Sequence, residues 1–345
     1  MIFKPPTDQR FARLIDANLD RAREGLRVIE DWCRFELERK DLVLKLKDCR
    51  QQLGSHHHEI YKKARSVSTD QGALLNHSAQ NQRVNPTSII SANCSRVQEA
   101  LRVLEEFTRS SNPQLSKNAA TIRYEIYELE ITLIKAINKN KRIQKLNETN
   151  LCLITAQTQK SLKTISSALL EGVNMVQYRH KNFNYKKDLK QVQDLSLLCK
   201  EHGALLIIND NVDLALAVNA DGVHLGQEDM PTELARNLLG GDLIIGKSTH
   251  SIEHLKKAQQ ESCDYVGIGP VFPSKTKPEA KPLDNKNLLE MYSIVHLPCF
   301  AIGGINTSNV SNLTSQGIQR IAVIDAIMNT QDPALATRKL LGQLQ

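Results

Sequence analysis

Residues 205–229 read LLIINDNVDLALAVNADGVHLGQED. The run Leu205–Asp210 is apolar until its last two residues, which predicts a short strand buried on both faces. NVDLALAVNA has the spacing of a short helix, and Gly222–Leu225 is a second apolar strand. Each strand runs out into polar residues: Asn209 and Asp210 after the first, Gln227, Glu228 and Asp229 after the second. Strand, helix and parallel strand form a β–α–β unit.

Outward from this unit the same alternation fills everything after Leu151. Further strands are predicted at Leu151–Ala156, Met175–Lys181, Leu243–Thr249, Tyr265–Val271, Cys299–Gly303 and Arg320–Ile324. Between them lie helical segments such as LKTISSALLEG, YKKDLKQVQDLSLLCKEHG and SIEHLKKAQQES. Eight such units in residues 151–345 predict a closed (β/α)8 TIM barrel. A doubly wound sheet is the alternative, but it seldom has eight regular units.

A barrel places its chemistry where strands end. Here those ends carry Gln177-Tyr178-Arg179-His180-Lys181, Asn209-Asp210, Gln227-Glu228-Asp229, Lys247-Ser248-Thr249, Ser274-Lys275-Thr276-Lys277 and Gly303-Gly304. Asp210 and Asp229 offer hard oxygen ligands from adjacent strands, which suits Mg²⁺ shared with substrate phosphates. Arg179, Lys181 and Lys277 supply cations for phosphate oxygens. Gly303, Gly304 and the turn after the eighth strand offer backbone N–H groups to a second phosphate. The alternative reading is a rim of salt bridges, which would not need the Gly-Gly turn.

The first half is different in kind. NLDRAREGLRVIEDWCR at 18–34 recurs as NCSRVQEALRVLEEFTR at 93–109, an offset of 75 residues. The apolar positions fall at helical spacing, and each copy is followed by another helical stretch, about 40–53 and 114–137. Residues 1–140 are predicted to form an all-helical domain of two repeats, with Asn18 and Asn93 as N-caps. Residues 141–150, within the polar run NKNKRIQKLNETN, read as a linker or a fraying helix end. Arg21, Glu24, Arg27, Asp31 and Arg34 alternate in sign, as do Arg96, Glu99, Arg102, Glu106 and Arg109. Either these are solvated faces laced with ion pairs, or the two arginine sets converge on an anion. His56-His57-His58 reads as a polar surface tract rather than a metal cluster.

Composition narrows the classes. Residues 1–145 carry 26 Lys and Arg against 18 Asp and Glu, whereas residues 146–345 carry 19 against 20. A basic half suits phosphorylated small molecules. Nucleic acid is disfavoured, because the 15 aromatics are not interleaved with the basic residues. Seven scattered cysteines without a C-x-x-C point to a reducing, cytoplasmic setting. No apolar run approaches a membrane span, and the N-terminus lacks a signal peptide's apolar segment.

The second half strongly resembles thiamine phosphate synthase. The resemblance is carried by QYRHK at 177–181, INDNVDLALAVNADGVHLGQED at 208–229, GKSTHS at 246–251, DYVGIGPVFPSKTK at 264–277 and AIGGI at 301–305. It implies a Mg²⁺-dependent condensation of a hydroxymethylpyrimidine diphosphate with a thiazole phosphate, by a dissociative displacement of pyrophosphate. It further implies that Gln177, Arg179, His180, Lys181, Asn209, Ser248 and Lys277 hold the pyrimidine diphosphate. Of these, Arg179, Lys181 and Lys277 would stabilise the leaving group. Asp210 and Asp229 would be the metal ligands. Ser274, Thr276, Gly304, Ile324 and Asp325 would cradle the thiazole phosphate, and His224 would face the same site. Asp325 departs from the family, where many relatives carry a small or basic residue; an acid there would have to turn away and cap a helix. The first half resembles a helical extension of some bacterial synthases. In some relatives it is associated with phosphorylating the pyrimidine monophosphate. No G-x-x-x-x-G-K-[ST] loop occurs in residues 1–145, so a structural or homo-oligomerising role competes.

Overall fold

The computed structural model describes residues 9–65, 85–156, 161–274 and 278–344. The chain divides into two compact units, Met1–Asn138 and Lys139–Gln345.

The first unit is built from α1 (Gln9–Phe35), α2 (Lys40–Gly54), α3 (Glu59–Lys63), α4 (Pro86–Phe107) and the first part of α5 (Pro113–Asn147). Ile15, Leu19, Ala22, Leu26, Ile29 and Cys33 form the buried stripe of α1; Ile90, Cys94, Val97, Leu101 and Leu104 form that of α4. The two repeats meet at Gly25, where a Cβ would lie 2.6 Å from Val97 Cγ2 and 3.3 Å from the Asn93 carbonyl oxygen. A side chain at 25 would hold these backbones apart.

Asn18 and Asn93 are not N-caps. Both lie inside their helices, buried, with Nδ2 donating to the carbonyls of Leu14 (2.9 Å) and Ile89 (2.8 Å). The apolar stripe of α1 begins upstream of Asn18, so the helix does too. α4 is capped instead by Asn85, whose side chain accepts from Ser88 N at 2.9 Å. His56-His57-His58 is likewise no surface tract: His56 and the His57 ring are buried in the turn after α2. His56 Nε2 lies 3.0 Å from Asn118 Nδ2, and His57 Nε2 lies 3.3 Å from Asp20 Oδ1. Burial lowers the pKa of both rings.

The stripes are ion-paired at Arg27, Arg102 and Arg109 within their own helices, and at Arg96 across to Glu24 of α1 at 3.5 Å. Arg27 meets Glu30 and Asp31 at 3.5 and 3.0 Å; Arg102 meets Glu105 and Glu106 at 3.0 and 2.8 Å. Glu30 and Glu105, one repeat apart, each take a second arginine from the helix that follows, Arg50 (3.3 Å) and Arg123 (2.9 Å). The structure therefore supports the ion-paired reading of these faces.

The second unit begins inside α5. The stretch read as a linker or fraying end is helical through Asn147. Leu146 is fully buried and, with Ile143, packs among Cys152, Met175, Leu205 and Phe300 of the barrel interior. Arg142 Nε donates to Asp221 Oδ1 at 2.9 Å. Only two apolar residues anchor this turn, too few to show as a period in sequence.

The strands are β1 (Leu151–Ile154), β2 (Met175–Tyr178), β3 (Leu205–Asn209), β4 (Gly222–Leu225), β5 (Ile244–Thr249), β6 (Tyr265–Ile268), β7 (Cys299–Ile302) and β8 (Ile321–Val323). They close in sequence order, all parallel, with β1 also pairing β8. The helices that follow are α6 (Ser161–Leu170), α7 (Tyr185–Glu201), α8 (Val212–Ala217), α9 (Thr232–Leu239), α10 (Ile252–Gln260), α11 (Asn285–Ile294), α12 (Ser311–Thr314), α13 (Asp325–Met328) and α14 (Pro333–Gln343). Alternate strand residues divide between two cores. Leu153, Val176, Leu206, Val223 and Ile245 pack in one cluster with helix residues such as Val192, Leu255 and Leu340. Cys152, Ile154, Met175, Leu205, Ile207, Ile244, Tyr265, Phe300 and Ala322 fill the barrel. Both faces of each strand are thus covered, as their apolar runs require. The observed strands stop short of the predicted ones because the polar ends leave the ladder to form the rim.

Candidate active site

Strand alternation puts Gln177, Asn209, His224 and Ser248 on the inward positions above the apolar filling. They open into a cavity of about 630 Å³, also lined by Arg179, Ser274, Gly304, Ile324 and Asp325. Gln177 Nε2 donates to Asn209 Oδ1 at 2.7 Å, which ties the ends of β2 and β3. Arg179 is placed by its backbone, whose N–H donates to Thr155 Oγ1 at 2.9 Å. Its guanidinium forms no ion pair among the described residues, in contrast to the arginines of the helical unit. An unpaired cation on a concave wall suits an anionic ligand.

Asp210 follows β3 with φ 64°, a left-handed conformation that Asp tolerates better than most residues, and its N–H donates to the His224 carbonyl at 2.9 Å. Asp229 folds back so that Oδ2 accepts from Gly226 N at 2.6 Å. Two carboxylates in the loops after neighbouring strands are the donor set that Mg²⁺ takes alongside substrate phosphates and water. Among the described residues no group of three or more His, Cys, Asp or Glu could hold a metal alone.

Gly303 and Gly304, which also line the cavity, have φ of 108° and 64°. A Cβ on Gly304 would lie 2.3 Å from the Pro273 carbonyl oxygen. The Gly304 carbonyl accepts from Asn309 Nδ2 at 2.9 Å, which fixes the turn. Asp325 does not cap α13: Ile324 occupies the N-cap position, and Asp325 Oδ1 accepts from Asn329 Nδ2 at 2.7 Å.

Four expected site residues do not line the cavity: Asp210, Asp229, His180 and Lys181. His180 is one residue out of phase with Arg179, and its Nδ1 lies 3.3 Å from Asp188 Oδ2 of α7. Lys181 is exposed in the turn beyond and does not line the cavity. Thr276 and Lys277 lie outside the described residues. Sequence reading passed over Tyr265, whose hydroxyl lies 3.0 Å from His224 Nδ1, and His250, whose Nδ1 lies 2.6 Å from the Gly269 carbonyl oxygen. Their available signal was parity: Tyr265 and Gly267 on β6 face Gly246 and Ser248 on β5. Burial raises Cys33, Cys49, Cys94, Cys152 and Cys199 to about 12, so no thiolate nucleophile arises there.

Known proteins place this arrangement. The family model described as thiamine monophosphate synthase matches residues 151–327, and that of the ThiD2 family matches residues 13–132. A thiamine-phosphate synthase of Prochlorococcus marinus (strain MIT 9313) is 53% identical, covering 100% of this chain and 99% of its own. The chain belongs to the thiamine-phosphate synthase family. A thiamine-phosphate synthase of Synechococcus sp. (strain CC9605) is 55% identical over 98% of this chain and 96% of its own. The solved thiamine phosphate pyrophosphorylase of Pyrococcus furiosus superposes with a TM-score of 0.53 at 36% identity, covering 58% of this chain and 96% of that one. Similarity to the synthases of Prochlorococcus and Synechococcus thus runs through both units.

Proposed function

We propose that the barrel condenses a hydroxymethylpyrimidine diphosphate with a thiazole phosphate to give thiamine phosphate and pyrophosphate. The observation that carries this is the single cavity that is lined both by Gln177, Arg179, Asn209 and Ser248 and by the Gly303–Gly304 turn. The side chains suit a diphosphate; the turn suits a monophosphate held by backbone.

The bond from the pyrimidine methylene to the diphosphate oxygen breaks, and its electron pair leaves with pyrophosphate. The thiazole nitrogen lone pair then forms the new carbon–nitrogen bond. Arg179 and the Ser248 hydroxyl meet the charge that grows on the leaving group, together with Lys277. Gln177 and Asn209, tied to each other, orient the pyrimidine. Ser274, Gly304 and the backbone of Ile324 and Asp325 hold the thiazole phosphate, with the Asp325 carboxylate engaged by Asn329. Asp210 and Asp229 would hold Mg²⁺, which when bound supplies positive charge to the diphosphate oxygens.

For the helical unit two readings stand: phosphorylation of the pyrimidine monophosphate, and a structural or assembling role. The pairing of its arginines with Glu30, Asp31, Glu105 and Glu106 supports the second for the stripes themselves. Incubating the full chain with pyrimidine diphosphate, thiazole phosphate and Mg²⁺ should release thiamine phosphate and pyrophosphate in equal amounts. Consumption of the diphosphate without thiamine phosphate would contradict the assignment. Replacing the diphosphate by monophosphate and ATP tests the kinase reading in the same assay.

A further inference from the structure

Inside the barrel, three side chains from three strands form one line. Tyr265 OH on β6 lies 3.0 Å from His224 Nδ1 on β4, and His224 Nε2 lies 2.9 Å from Ser248 Oγ on β5. Tyr265 reaches β4 only because β5 carries glycine between them. His224 pairs with Gly246 and Gly246 with Tyr265 in the sheet register. A Cβ on Gly246 would lie 2.1 Å from Tyr265 Cζ. The passage of the ring across a strand is thus built into the sequence.

The direction of the hydrogen bonds follows from what each group can do. Tyr265 is almost wholly buried, and burial holds its hydroxyl well above its ordinary pKa, so it keeps its proton. His224 Nδ1 is the partner shown for that hydroxyl. A buried O–H without an acceptor would cost most of its desolvation, so the proton points at Nδ1. With Nδ1 accepting, a neutral ring carries its hydrogen on Nε2, which donates to Ser248 Oγ. The Ser248 oxygen is then an acceptor toward His224, and its own proton is turned away from the ring, into the cavity that Ser248 lines.

We propose that Tyr265 is a positioning residue: through the tautomer of His224 it fixes the Ser248 hydroxyl as a hydrogen-bond donor to an oxygen of the departing diphosphate. Without the tyrosine the ring can adopt the Nδ1–H form, Nε2 becomes an acceptor, and Ser248 spends its proton on His224. The inference rests on the placement of the diphosphate at Ser248 given above, but its first readout does not.

Nitrogen NMR of the full chain with labelled histidine reads the tautomer directly, without substrate. The Nε2–H form of His224 is required, and Tyr265→Phe should lose that fixed form while keeping the ring that fills the space over Gly246. In kinetics, Tyr265→Phe should lower kcat about tenfold, the equivalent of one net hydrogen bond of about 1.4 kcal/mol, and leave KM within about a factor of two. In a Ser248→Ala background the same substitution should add nothing, because the donor it orients is already gone. A tyrosine that served only packing would leave the tautomer unchanged and slow both backgrounds equally. His224 in the Nδ1–H form in the unaltered chain, or additive losses in the double variant, would overturn the proposal. If Tyr265→Phe does not fold, the tautomer in the unaltered chain decides. If thiamine phosphate is not made at all but the Nε2–H form is found, the relay stands and the ligand assignment fails.

Discussion

Arg179 at the barrel rim is handled in the opposite way to the arginines on the helical faces, whereas Arg142, Arg236 and Arg338 elsewhere in the barrel unit are paired with carboxylates like those of the helices. In the helical unit Arg27, Arg102, Arg109 and Arg123 each lie within 3.5 Å of a carboxylate, mostly one turn away on the same helix. In the barrel Arg179 lines a cavity and forms no ion pair among the described residues. A run of alternating charge on a helix neutralises itself and adds little: tenths of a kcal/mol per exposed pair. A cation left without a partner at a strand end is held ready for a charge brought by the ligand. Net charge would not have pointed to the Arg179 cavity, since the excess of basic residues lies before residue 146.

The comparison breaks most visibly in a rate. Arg179→Ala should slow the condensation by roughly 10²–10³, the usual loss for one positioned stabiliser of developing charge, with the melting temperature little changed. A variant that turns over normally would mean that Arg179 does not stabilise the leaving group. Next in size is the anchor beneath the barrel. Leu146→Ala removes a fully buried side chain and should cost about 2–5 kcal/mol in denaturant unfolding, without altering KM for either substrate. A loss below that range would show that this part of α5 is the spacer its polar sequence suggests.

The helical arginines should respond far less. Arg102→Ala breaks pairs with Glu105 and Glu106 at the surface and should cost less than about 1 kcal/mol, with an unchanged condensation rate. A large fall in product formed from pyrimidine monophosphate and ATP, with the rate from the diphosphate unchanged, would restore the anion-binding reading of the stripes. The smallest effect concerns His56 and His57, whose pKa values are lowered by burial. The unfolded chain then binds protons below about pH 6.5 that the folded chain refuses, so stability is present above that pH and is lost as pH falls. The helical transition should melt earlier at about pH 5.5 than at about pH 7.5. A transition that strengthens on acidification would mean that Asp16 and Asp20 outweigh burial at His57.

Where sequence reading reached the structure, one strong period carried the signal. The barrel was legible because buried parallel strands are short apolar runs with polar ends, and Gln177, Asn209, His224 and Ser248 all fall on the inward phase. It failed by one residue at β2: Arg179 lies at the cavity and His180 turns to Asp188, a distinction that the string QYRHK does not reveal once the strand has ended at Tyr178. The repeat in the helical half was legible too, but Asn18 and Asn93 looked like caps because capping chemistry and an i−4 bond inside a helix use the same side chain. Parity marks Tyr265 as inward, but its pairing with His224 was out of reach because that partner stands two strands away and only the register across Gly246 joins them.

The central claim is that the barrel alone carries the synthase. A chain truncated to begin at Lys139 keeps the turn of α5 that holds Leu146 and Arg142, together with every described residue assigned to the site. Given pyrimidine diphosphate, thiazole phosphate and Mg²⁺, it should form thiamine phosphate with a kcat within about a factor of two of the full chain. A truncated chain that is folded and monodisperse yet inactive on the diphosphate would contradict the account, and would place part of the synthase chemistry in the helical half.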